Sequence, residues 1–504
     1  MLFDQAAEGP AAAQSHALVQ GELVEGALAV GPYLFQGAAT HSDDFRRLVV
    51  LASRLTASQD ASVTDPTPDA ATAATVAPAS SAAPGRFGGL GAGYWKLWTA
   101  SVVSNLGDGI SAVAYPWLAT VLTRDPLLIA GVGVATRLPW LLFSLPAGVY
   151  VDRSDRRRLM VACNASRFAV TAVVSLAVLF EVMNLPLLYV TAILLGIAEV
   201  LYDNASQTIL PSVVPAERLE RANGNLWGAE LVMNQFVGPP LGGFLIAVGL
   251  ALPFGIDAVT FAVSAALIAV LAGSFRPRAA ETEATAARSL RGEMVEGMRW
   301  LWSHRLLRTL AITLGIMNGM GMAVFAIEVL FVQEILLLDA RGFGFLFIAG
   351  AVGGVLGSQL APLVTKGIGP GPSLYLCLVA GGVTLGVNGL TSNPWVFGAM
   401  FVIFSFTAVI WNVITVSLRQ TVIPDRLLGR VNSVYRFFGW GSMPIGSFLG
   451  GLLVTVGTAL AGREFGLRLP FFVAAAVHFA TLAAVGSRLS TGQIEAARAA
   501  ASRP

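Results

Sequence analysis

The chain has 504 residues, of which 55% are hydrophobic and only 12% are charged. Soluble globular proteins carry about 25% charged residues. The composition therefore excludes an ordinary soluble protein and predicts repeated membrane spans of about 20 residues each. The net charge of +2 and the two widely separated cysteines predict neither a nucleic-acid partner nor a disulfide.

The sequence contains no pattern typical of catalysis, of metal binding or of nucleotide binding. Its four histidines are scattered without metal-ligand spacing. Trp95 and Thr365 precede the two lysines, Lys96 and Lys366, so the Gly-Lys-Ser/Thr core of a P-loop is absent. No nucleophile and base have the spacing of a catalytic pair. We therefore expect a protein that is not an enzyme and that has no cofactor or metal site.

Residues 1–90 differ from the rest of the chain. The stretch 56–85 is rich in Ala, Ser, Thr and Pro, a composition typical of disorder. No basic segment followed by an apolar segment begins the chain, so a secretory signal is not predicted. We expect residues 1–90 to form a mostly disordered cytoplasmic extension.

From Tyr94 onward the sequence predicts twelve apolar spans, separated by Pro, Gly and charged residues. They are predicted at 94–122, 126–150, 159–182, 185–210, 222–249, 252–275, 306–335, 343–366, 370–391, 394–418, 430–457 and 467–488. The predicted organisation is a six-helix bundle at 91–275, a cytoplasmic central loop at 276–305, a second six-helix bundle at 306–489 and a cytoplasmic tail at 490–504.

The distribution of positive charge predicts the orientation. The even-numbered connections between spans hold most of the arginines and lysines, whereas the odd-numbered ones hold only Arg124, Arg341, Arg463 and Arg468. Positively charged connections favour the cytoplasmic side. The termini and the central loop are therefore predicted to be cytoplasmic, in a multi-pass protein of the plasma membrane.

An internal repeat relates the two bundles. "VVPAERLERANG" at 213–224 and "VIPDRLLGRVNS" at 422–433 share a frame 209 positions apart, and Gly242-Gly243 recurs as Gly450-Gly451. Two parallel copies of a six-span unit predict a pseudo-twofold axis along the membrane normal. One residue breaks the repeat, because Asp152 falls opposite Ala361.

The stretch "GVYVDRSDRR" resembles the loop signature of the major facilitator superfamily, G-x-x-x-D-R-x-G-R-R. The matching residues are Gly148, Asp152, Arg153, Arg156 and Arg157. Asp155 stands in the place of the second glycine. The resemblance implies an all-α membrane protein with twelve transmembrane helices in two parallel six-helix repeats, which binds a small molecule between its halves.

The same loop is the predicted cytoplasmic gate, formed by Gly148, Asp152, Arg153 and Arg157. In the family, the loop aspartate docks on the other half when the carrier faces outward. A carboxylate at a helix N-terminus gains about 0.3–1 kcal/mol, and a contact made in only one state suits a switch. The alternative is that these charges only set topology.

A second motif, "GPPLGG" in span 5, resembles the G-P-x-x-G-G core typical of the superfamily's exporters. Gly238, Pro239, Gly242 and Gly243 are the predicted hinge, which would pack on the Gly-rich stretch "GAVGGVLGSQL" of span 8. Asn225 and Asn234 stand where the family has upstream glycines. The alternative is a generic packing kink.

"LPSVVPAERLERANG" also resembles the loop after span 4 in drug and siderophore exporters of the enterobactin-exporter-like branch.

Ionisable residues within the spans are candidates for function, because charge is unfavourable in lipid. Glu199 and Asp203 are spaced i, i+4 and share a face of span 4, while Asp108 lies in span 1 and Arg137 in span 2. These four residues are the predicted site for proton and substrate coupling, with Asp203 as proton carrier and Glu199 as structural partner. The alternative is that Arg137 is a fixed counter-ion and the acids are merely paired. Other ionisable residues within the spans are Arg167, Glu230, Asp257, Glu328 and Arg436, with Asp257 expected near the membrane surface.

These features predict a secondary active transporter. It would be a monomer surrounded by lipid that exports small amphipathic molecules, such as a drug, an antibiotic or a siderophore, in exchange for protons. One alternative is a nutrient uptake carrier, against which "GPPLGG" argues. The other is a receptor or scaffold that transports nothing, against which the buried charges argue.

Overall fold

The computed structural model describes residues 89–273, 275 and 290–501. The N-terminal extension predicted at 1–90 lies outside the described residues except for its last two positions, and so do residues 276–289 of the predicted central loop. Within the described ranges the chain is almost entirely helical and has no strands.

The N-terminal half consists of seven helical segments that make six spans. They are α1 (Gly91–Leu122), α2 (Pro126–Asp152), α3 (Arg156–Leu179), α4 (Leu185–Ile209), α5 (Leu219–Leu231), α6 (Gly238–Val248) and α7 (Leu252–Ala269). A π-helical segment at Val232–Val237 joins α5 to α6, and the three pieces together form the fifth span. Single π turns inside helices occur frequently at functional sites.

The C-terminal half contains the other six spans and two shorter helices. Its helices are α8 (Leu290–Ser303), α9 (Arg305–Glu334), α10 (Ala340–Ile368), α11 (Pro370–Leu390), α12 (Pro394–Val422), α13 (Asp425–Ala461), α14 (Arg463–Val485) and α15 (Thr491–Ala501). Helix α8 lies in the segment predicted as the central loop, and α15 lies in the predicted tail. Glu296 of α8 pairs with Arg430 of α13, which fixes α8 to the C-terminal half.

Short polar residues set where many of the helices begin. Asp125, Asp155, Asn184, Asp339 and Asn393 each accept a hydrogen bond from a backbone N–H in the first turn of the helix that follows. These bonds satisfy donors that have no partner within the helix. Asp155, which stands in the place of the second glycine of the loop signature, caps α3. Its Oδ1 accepts a hydrogen bond from the Arg158 N–H at 3.0 Å.

Twelve helical spans confirm the predicted all-α membrane fold. Eleven of them are long and apolar enough to cross a membrane by length and composition alone. The remaining one, α1, has 32 residues but carries a polar central stretch, "SNLGDGIS", which lowers its hydropathy. Its polar residues face neighbouring helices, as shown below for Asp108 and Ser111.

The apolar cores show how the two halves meet. One cluster, here called the shared core, includes residues of both halves, among them Val113, Leu118, Ile327 and Phe343. It lies at the end of the bundle opposite the predicted cytoplasmic end. At the predicted cytoplasmic end each half has its own cluster, one built from residues between 90 and 275 and the other from residues between 301 and 494. The halves are therefore packed together at one end and have separate cores at the other.

Candidate transport site and gates

A buried ion pair forms the centre of the N-terminal half. Arg167 Nη2 of α3 lies 2.7 Å from Asp108 Oδ1 of α1, and the Arg167 side chain is only 3% exposed whereas that of Asp108 is 31% exposed. The guanidinium carbon of Arg167 also lies 4.3 Å from the centroid of the Phe261 ring and 5.8 Å from that of Tyr202. Cation–π contacts stabilise a desolvated guanidinium, so Arg167 is a fixed positive charge within the bundle.

Three further carboxyl groups share this cation. Glu199, Asp203 and Asp257 interact electrostatically with Arg167 in addition to Asp108. One buried cation thus stands among four acids, three of which belong to the predicted coupling site. Arg167 neutralises a single carboxylate, so the site has a surplus of negative charge unless protons or a cationic ligand bind.

The structure places the Asp257 side chain inside the bundle, while its position near the membrane surface stays a prediction. Its side chain is 1% exposed. The Ser111 hydroxyl donates a hydrogen bond to Asp257 Oδ2, and the Thr260 hydroxyl donates to Oδ1 at 3.3 Å. Gly107 lets α1 approach this carboxyl, since a Cβ at that position would overlap Asp257 Oδ1.

Arg137 does not join the acids as predicted. It is partly exposed, and it forms no hydrogen bond or ion pair with any residue in the described part of the chain. The position expected for it beside the acids is taken by Arg167 of α3. The sequence did contain a signal for this, because Asn164, Arg167 and Thr171 share one face of an otherwise apolar helix and all three are buried.

The C-terminal half contributes aromatic and basic side chains opposite the acids. The rings of Trp140 in α2 and Trp440 in α13 lie 4.8 Å apart across the boundary between the halves. Arg436 lies over the Trp440 ring at 5.3 Å and interacts electrostatically with Asp203. Glu230 of α5 is exposed and also interacts with Asp203. Acids of one half thus face an aromatic and basic wall of the other half.

The predicted cytoplasmic gate lies at the α2–α3 connection. Helix α2 ends at Asp152, whose side chain lies outside the described part of the structure. Arg153 is exposed, and among the described side chains none lies within 4 Å of the position that a Cβ on Gly148 would take. Arg157 donates a hydrogen bond to the carbonyl oxygen of Leu271 at 2.6 Å, which ties this loop to the end of α7 within its own half. Docking of Asp152 on the other half stays a prediction.

The predicted hinge residues lie between α1 and α10. A Cβ on Gly242 would come 2.7 Å from the carbonyl oxygen of Ile110 in α1, and Gly238 packs equally closely on Gly109. Gly243 faces the other way, and a Cβ there would overlap the carbonyl oxygen of Ala340 in α10. Adjacent glycines therefore permit close contact within the half and between the halves.

Contact with span 8 occurs at a different place from the one predicted. Gly344, near the start of α10, packs against the carbonyl oxygen of Pro239, where a Cβ would come within 2.5 Å. In the stretch "GAVGGVLGSQL", Gly353 and Gly357 instead face the backbone of α12 at Val402 and Phe406. The prediction that this stretch packs on span 5 was wrong, because its glycines lie further along α10 and face the same half.

Asn225 and Asn234, which occupy the positions of the family's upstream glycines, both form hydrogen bonds with α1. The Trp98 indole N–H donates to the carbonyl oxygen of Asn225 at 3.1 Å, and the Asn234 amide donates to Asn105 Oδ1 at 2.9 Å. Asn234 lies in the π-helical segment. These bonds hold the irregular part of the fifth span against α1.

The glycine contacts recur in the C-terminal half. Gly446 and Gly450 of α13 lie against the backbone of α9, which belongs to the same half. Gly451 faces α2 of the other half, and a Cβ there would come 2.8 Å from the carbonyl oxygen of Pro126. The contacts of α6 are thus repeated by α13, as a parallel pseudo-twofold repeat requires.

A polar network that the sequence did not predict joins the halves at the end opposite the predicted cytoplasmic end. Arg463 binds both carboxylate oxygens of Glu334 at 2.9 Å and donates to the carbonyl oxygen of Arg124 at 3.1 Å. The Arg124 guanidinium donates to Gln333 Oε1, and the Gln333 amide donates to the Thr120 hydroxyl at 2.9 Å. We call these five residues the opposite-end network. Their connection depends on packing between distant parts of the chain.

Comparison with known proteins decides the family. A family model described as a transmembrane secretion effector matches residues 90–499. The chain belongs to this family of the major facilitator superfamily. The match confirms the resemblance found in the loop signature and in "GPPLGG", and it identifies a transporter and not an enzyme.

Curated relatives and solved structures agree with this assignment. The multidrug efflux pump Tap of Mycolicibacterium fortuitum is 29% identical over 388 residues, which cover 74% of this chain and 92% of Tap. The enterobactin exporter EntS of Escherichia coli O127:H6 is 22% identical over 382 residues, covering 74% of this chain and 89% of EntS. The fold resembles the nucleoside transporter NupG (D323A mutant) with a TM-score of 0.62 at 11% identity, covering 78% of this chain and 99% of NupG.

Proposed function

We propose that the protein exports small amphipathic molecules across the plasma membrane in exchange for protons, by alternating access. The observation that carries this proposal is the cluster of four carboxyl groups around one buried cation, Arg167. The relatives named as a multidrug efflux pump and an enterobactin exporter support the direction of transport.

The charge imbalance supplies a mechanism for exchange. Arg167 is paired with Asp108 and enclosed by aromatic rings, so it offers full compensation to one carboxylate only. A second ionised acid in this environment is unfavourable unless it gains a proton or a cationic group. Protons and a cationic substrate would therefore compete for Glu199 and Asp203, which is the basis of antiport.

The described conformation is one of the two states that alternating access needs. The shared core and the opposite-end network hold the halves together at one end. Because the halves have separate cores at the predicted cytoplasmic end, they can move apart there and open the acid site toward that side. With the predicted orientation, this is the inward-facing state in which an exporter loads its substrate.

The side chains on both sides of the boundary between the halves indicate the substrate class. Trp140 and Trp440 present aromatic surface, while Glu230 and Asp203 present negative charge. Aromatic rings beside carboxylates suit a ligand with a flat apolar part and a positive charge. We therefore propose that amphipathic organic cations and zwitterions are favoured over anions of similar size.

Paired transport measurements in proteoliposomes test the proposal. The substrates are an aromatic cation such as ethidium, a zwitterionic tetracycline and an anionic catecholate siderophore, each with and without an imposed pH gradient. Wild type should accumulate the cation only with the gradient. Transport of equal rate and extent without the gradient would overturn proton coupling, and a clear preference for the anion would overturn the substrate class.

Variants in which one acid at a time is neutralised refine the transport test. Asp203→Asn should abolish accumulation driven by the gradient and retain exchange at equal pH, because the proposed proton carrier is lost while Glu199, Glu230 and the aromatic rings still bind the substrate. Glu199→Gln should weaken both activities. Glu220→Gln is the matched control, since Glu220 is an exposed acid in α5 outside this cluster. If Asp203→Asn still concentrates substrate, the proton carrier is a different acid and Asp108 is the next to test.

A further inference from the structure

One acid in the C-terminal half takes no part in the site described above. Glu328 lies in α9, and only 5% of its surface is exposed. It forms no hydrogen bond or ion pair with any residue of the described ranges. A buried acid without a partner is rare in proteins and is a candidate for function within a membrane.

Glu328 is surrounded by apolar and aromatic side chains. One turn before it, Phe325 contacts Phe347 of α10 at a ring distance of 6.3 Å. One turn after it, Phe331 contacts Phe397 of α12 at 5.6 Å and Phe471 of α14 at 4.6 Å. Residues three positions apart share a helix face, so Glu328 lies on the face of α9 that is buried within the C-terminal bundle.

No charge from the neighbouring elements compensates Glu328. Among the described residues, burial alone acts on this carboxyl and no charged group contributes electrostatically. Both arginines near the start of α14 are engaged elsewhere, because Arg463 binds Glu334 and Arg468 binds Glu464 and the carbonyl oxygens of Gly389 and Thr391. None of the other ionisable side chains that the structure describes on α9 or on the elements packed against it acts on Glu328. They are Arg305 and Arg308 of α9, Tyr94, Lys96, Asp108 and Tyr115 of α1, Arg137 and Tyr150 of α2, Glu296 and Arg299 of α8, Arg430, Tyr435 and Arg436 of α13, His478 of α14, and Glu495 and Arg498 of α15.

This environment decides the protonation state of Glu328 in the described conformation. An ionised carboxylate without a counter-ion or donor is highly unfavourable in an apolar interior, whereas the protonated acid is tolerated. Helix α9 also carries Gln333 and Glu334 of the opposite-end network, and several neighbours of Glu328 belong to the shared core. The Phe347 ring also contacts Phe343, which lies 6.2 Å from the Trp117 ring of α1 in the other half. Opening of that end would separate Trp117 from these rings and give water a path to Glu328, and closure removes that path.

We propose that Glu328 is a second proton-binding residue, which takes a proton from water on the opposite side of the membrane as that end closes and returns it when that end opens. The proposal rests on alternating access as proposed above. It differs from the coupling site in position and in access, because Glu328 belongs to the closed end. An acidic exterior would then favour return of the empty carrier to the inward-facing state.

The test measures the conformation of the opposite end directly. Spin labels are placed at Val182→Cys in the α3–α4 connection and at Trp395→Cys in α12, both well exposed and in different halves. Cys163 and Cys377 are buried and are replaced by Ala. Distances are recorded by double electron–electron resonance in nanodiscs, from about pH 5.5 to about pH 8.5, a range that brackets carboxyl groups shifted by burial. The control variant is Glu181→Gln, which removes an exposed acid at the same end of the molecule.

One coupled proton changes the ratio of closed to open conformers by up to about tenfold per pH unit. Wild type and the Glu181→Gln control should show this dependence, with the short distance favoured at low pH. Glu328→Gln, which resembles the protonated acid, should hold the short distance at all pH values. Glu328→Asp should keep a pH dependence. The proposal is overturned if Glu328→Gln retains the wild-type pH dependence, or if wild type shows none.

Failure here is distinguishable from failure of the proposed function. If distances respond to pH through Glu328 but no gradient drives transport, export coupled to protons is wrong and the role of Glu328 stands. If gradients drive transport in wild type and in Glu328→Gln alike, with no change in distances, then Glu328 is a structural acid only. Should Glu328→Gln fail to insert, Glu328→Ala and Glu328→Asp supply the same comparison.

Discussion

The two halves of the molecule share a backbone design and differ in charge. Gly242 and Gly243 of α6 make one contact within their half and one across to the other, and Gly450 and Gly451 of α13 do the same. The interior of the N-terminal half holds Arg167 and four acids, whereas the C-terminal interior holds phenylalanines around the lone acid Glu328. The packing of the repeat is preserved, and the charged chemistry is concentrated in one copy.

This difference separates two requirements of an alternating carrier. Movement of two rigid bundles requires matched surfaces at both crossings between the halves, which favours symmetric glycine contacts. Coupling requires one polar site where charges are compensated differently in the two states. A second charged cluster would add the unfavourable burial of ions without being needed for movement.

The largest expected effect comes from removing the central cation. Arg167→Leu leaves Asp108 and its neighbouring acids without compensation, so we expect a loss of about 3 kcal/mol in stability and of more than about a hundredfold in transport rate. Arg137→Leu is the matched control in α2 and should reduce transport by less than about threefold. Thermal unfolding in detergent and vesicle transport measure both. Equal losses in the two variants would contradict the central role of Arg167.

Substitution of the paired glycines distinguishes contacts within a half from contacts between halves. Gly242→Ala and Gly450→Ala place a methyl group against the partner helix of the same half and should lower unfolding stability by about 1–3 kcal/mol. Gly243→Ala and Gly451→Ala place it between the halves and should instead shift the distance between Val182 and Trp395 labels toward the open form. If all four variants behave alike, the glycines have only a general packing role.

Weakening the opposite-end network should have a smaller effect. Arg463→Gln removes the hydrogen bond that Arg463 donates across the halves to the carbonyl oxygen of Arg124, an interaction expected to contribute about 1 kcal/mol, together with the pair to Glu334 of its own half. The ratio of open to closed conformers at that end should therefore rise by about fivefold. Arg468→Gln is the control, because Arg468 bonds within its own half. A larger shift in the control would show that the network does not hold the halves together.

The smallest expected effect concerns the gate loop. Asp152→Asn should insert normally and reduce transport by about two- to fivefold, since a carboxylate at a helix N-terminus contributes about 0.3–1 kcal/mol. Lys366→Gln should have little effect, because Ala361 leaves that half without an acid. Asp155→Asn is the capping control, as Asn caps α3 equally well. If Asp152→Asn transports as fast as wild type, the gate hypothesis is wrong and the charge of Asp152 serves only to set the topology.

The sequence by itself determined the features that depend on local patterns. Apolar runs and their punctuation predicted twelve spans, because a helix must bury its backbone hydrogen bonds to cross a bilayer. An i, i+4 spacing placed Glu199 and Asp203 on one helix face, and the glycine spacing of "GPPLGG" indicated a close helix contact. The second copy of that contact followed from the internal repeat.

Only the tertiary structure decided which residues of distant helices meet. Asp108 and Arg167 are 59 positions apart, and the polar face that Arg167 shares with Asn164 and Thr171 does not say which acid of another helix it meets. Burial of Asp257, the opposite-end network and the contact of Gly344 with Pro239 likewise depend on the rotation of each helix about its axis. That rotation is set by the fit of many side chains at once, whereas a sequence pattern reports only which face of a helix is apolar.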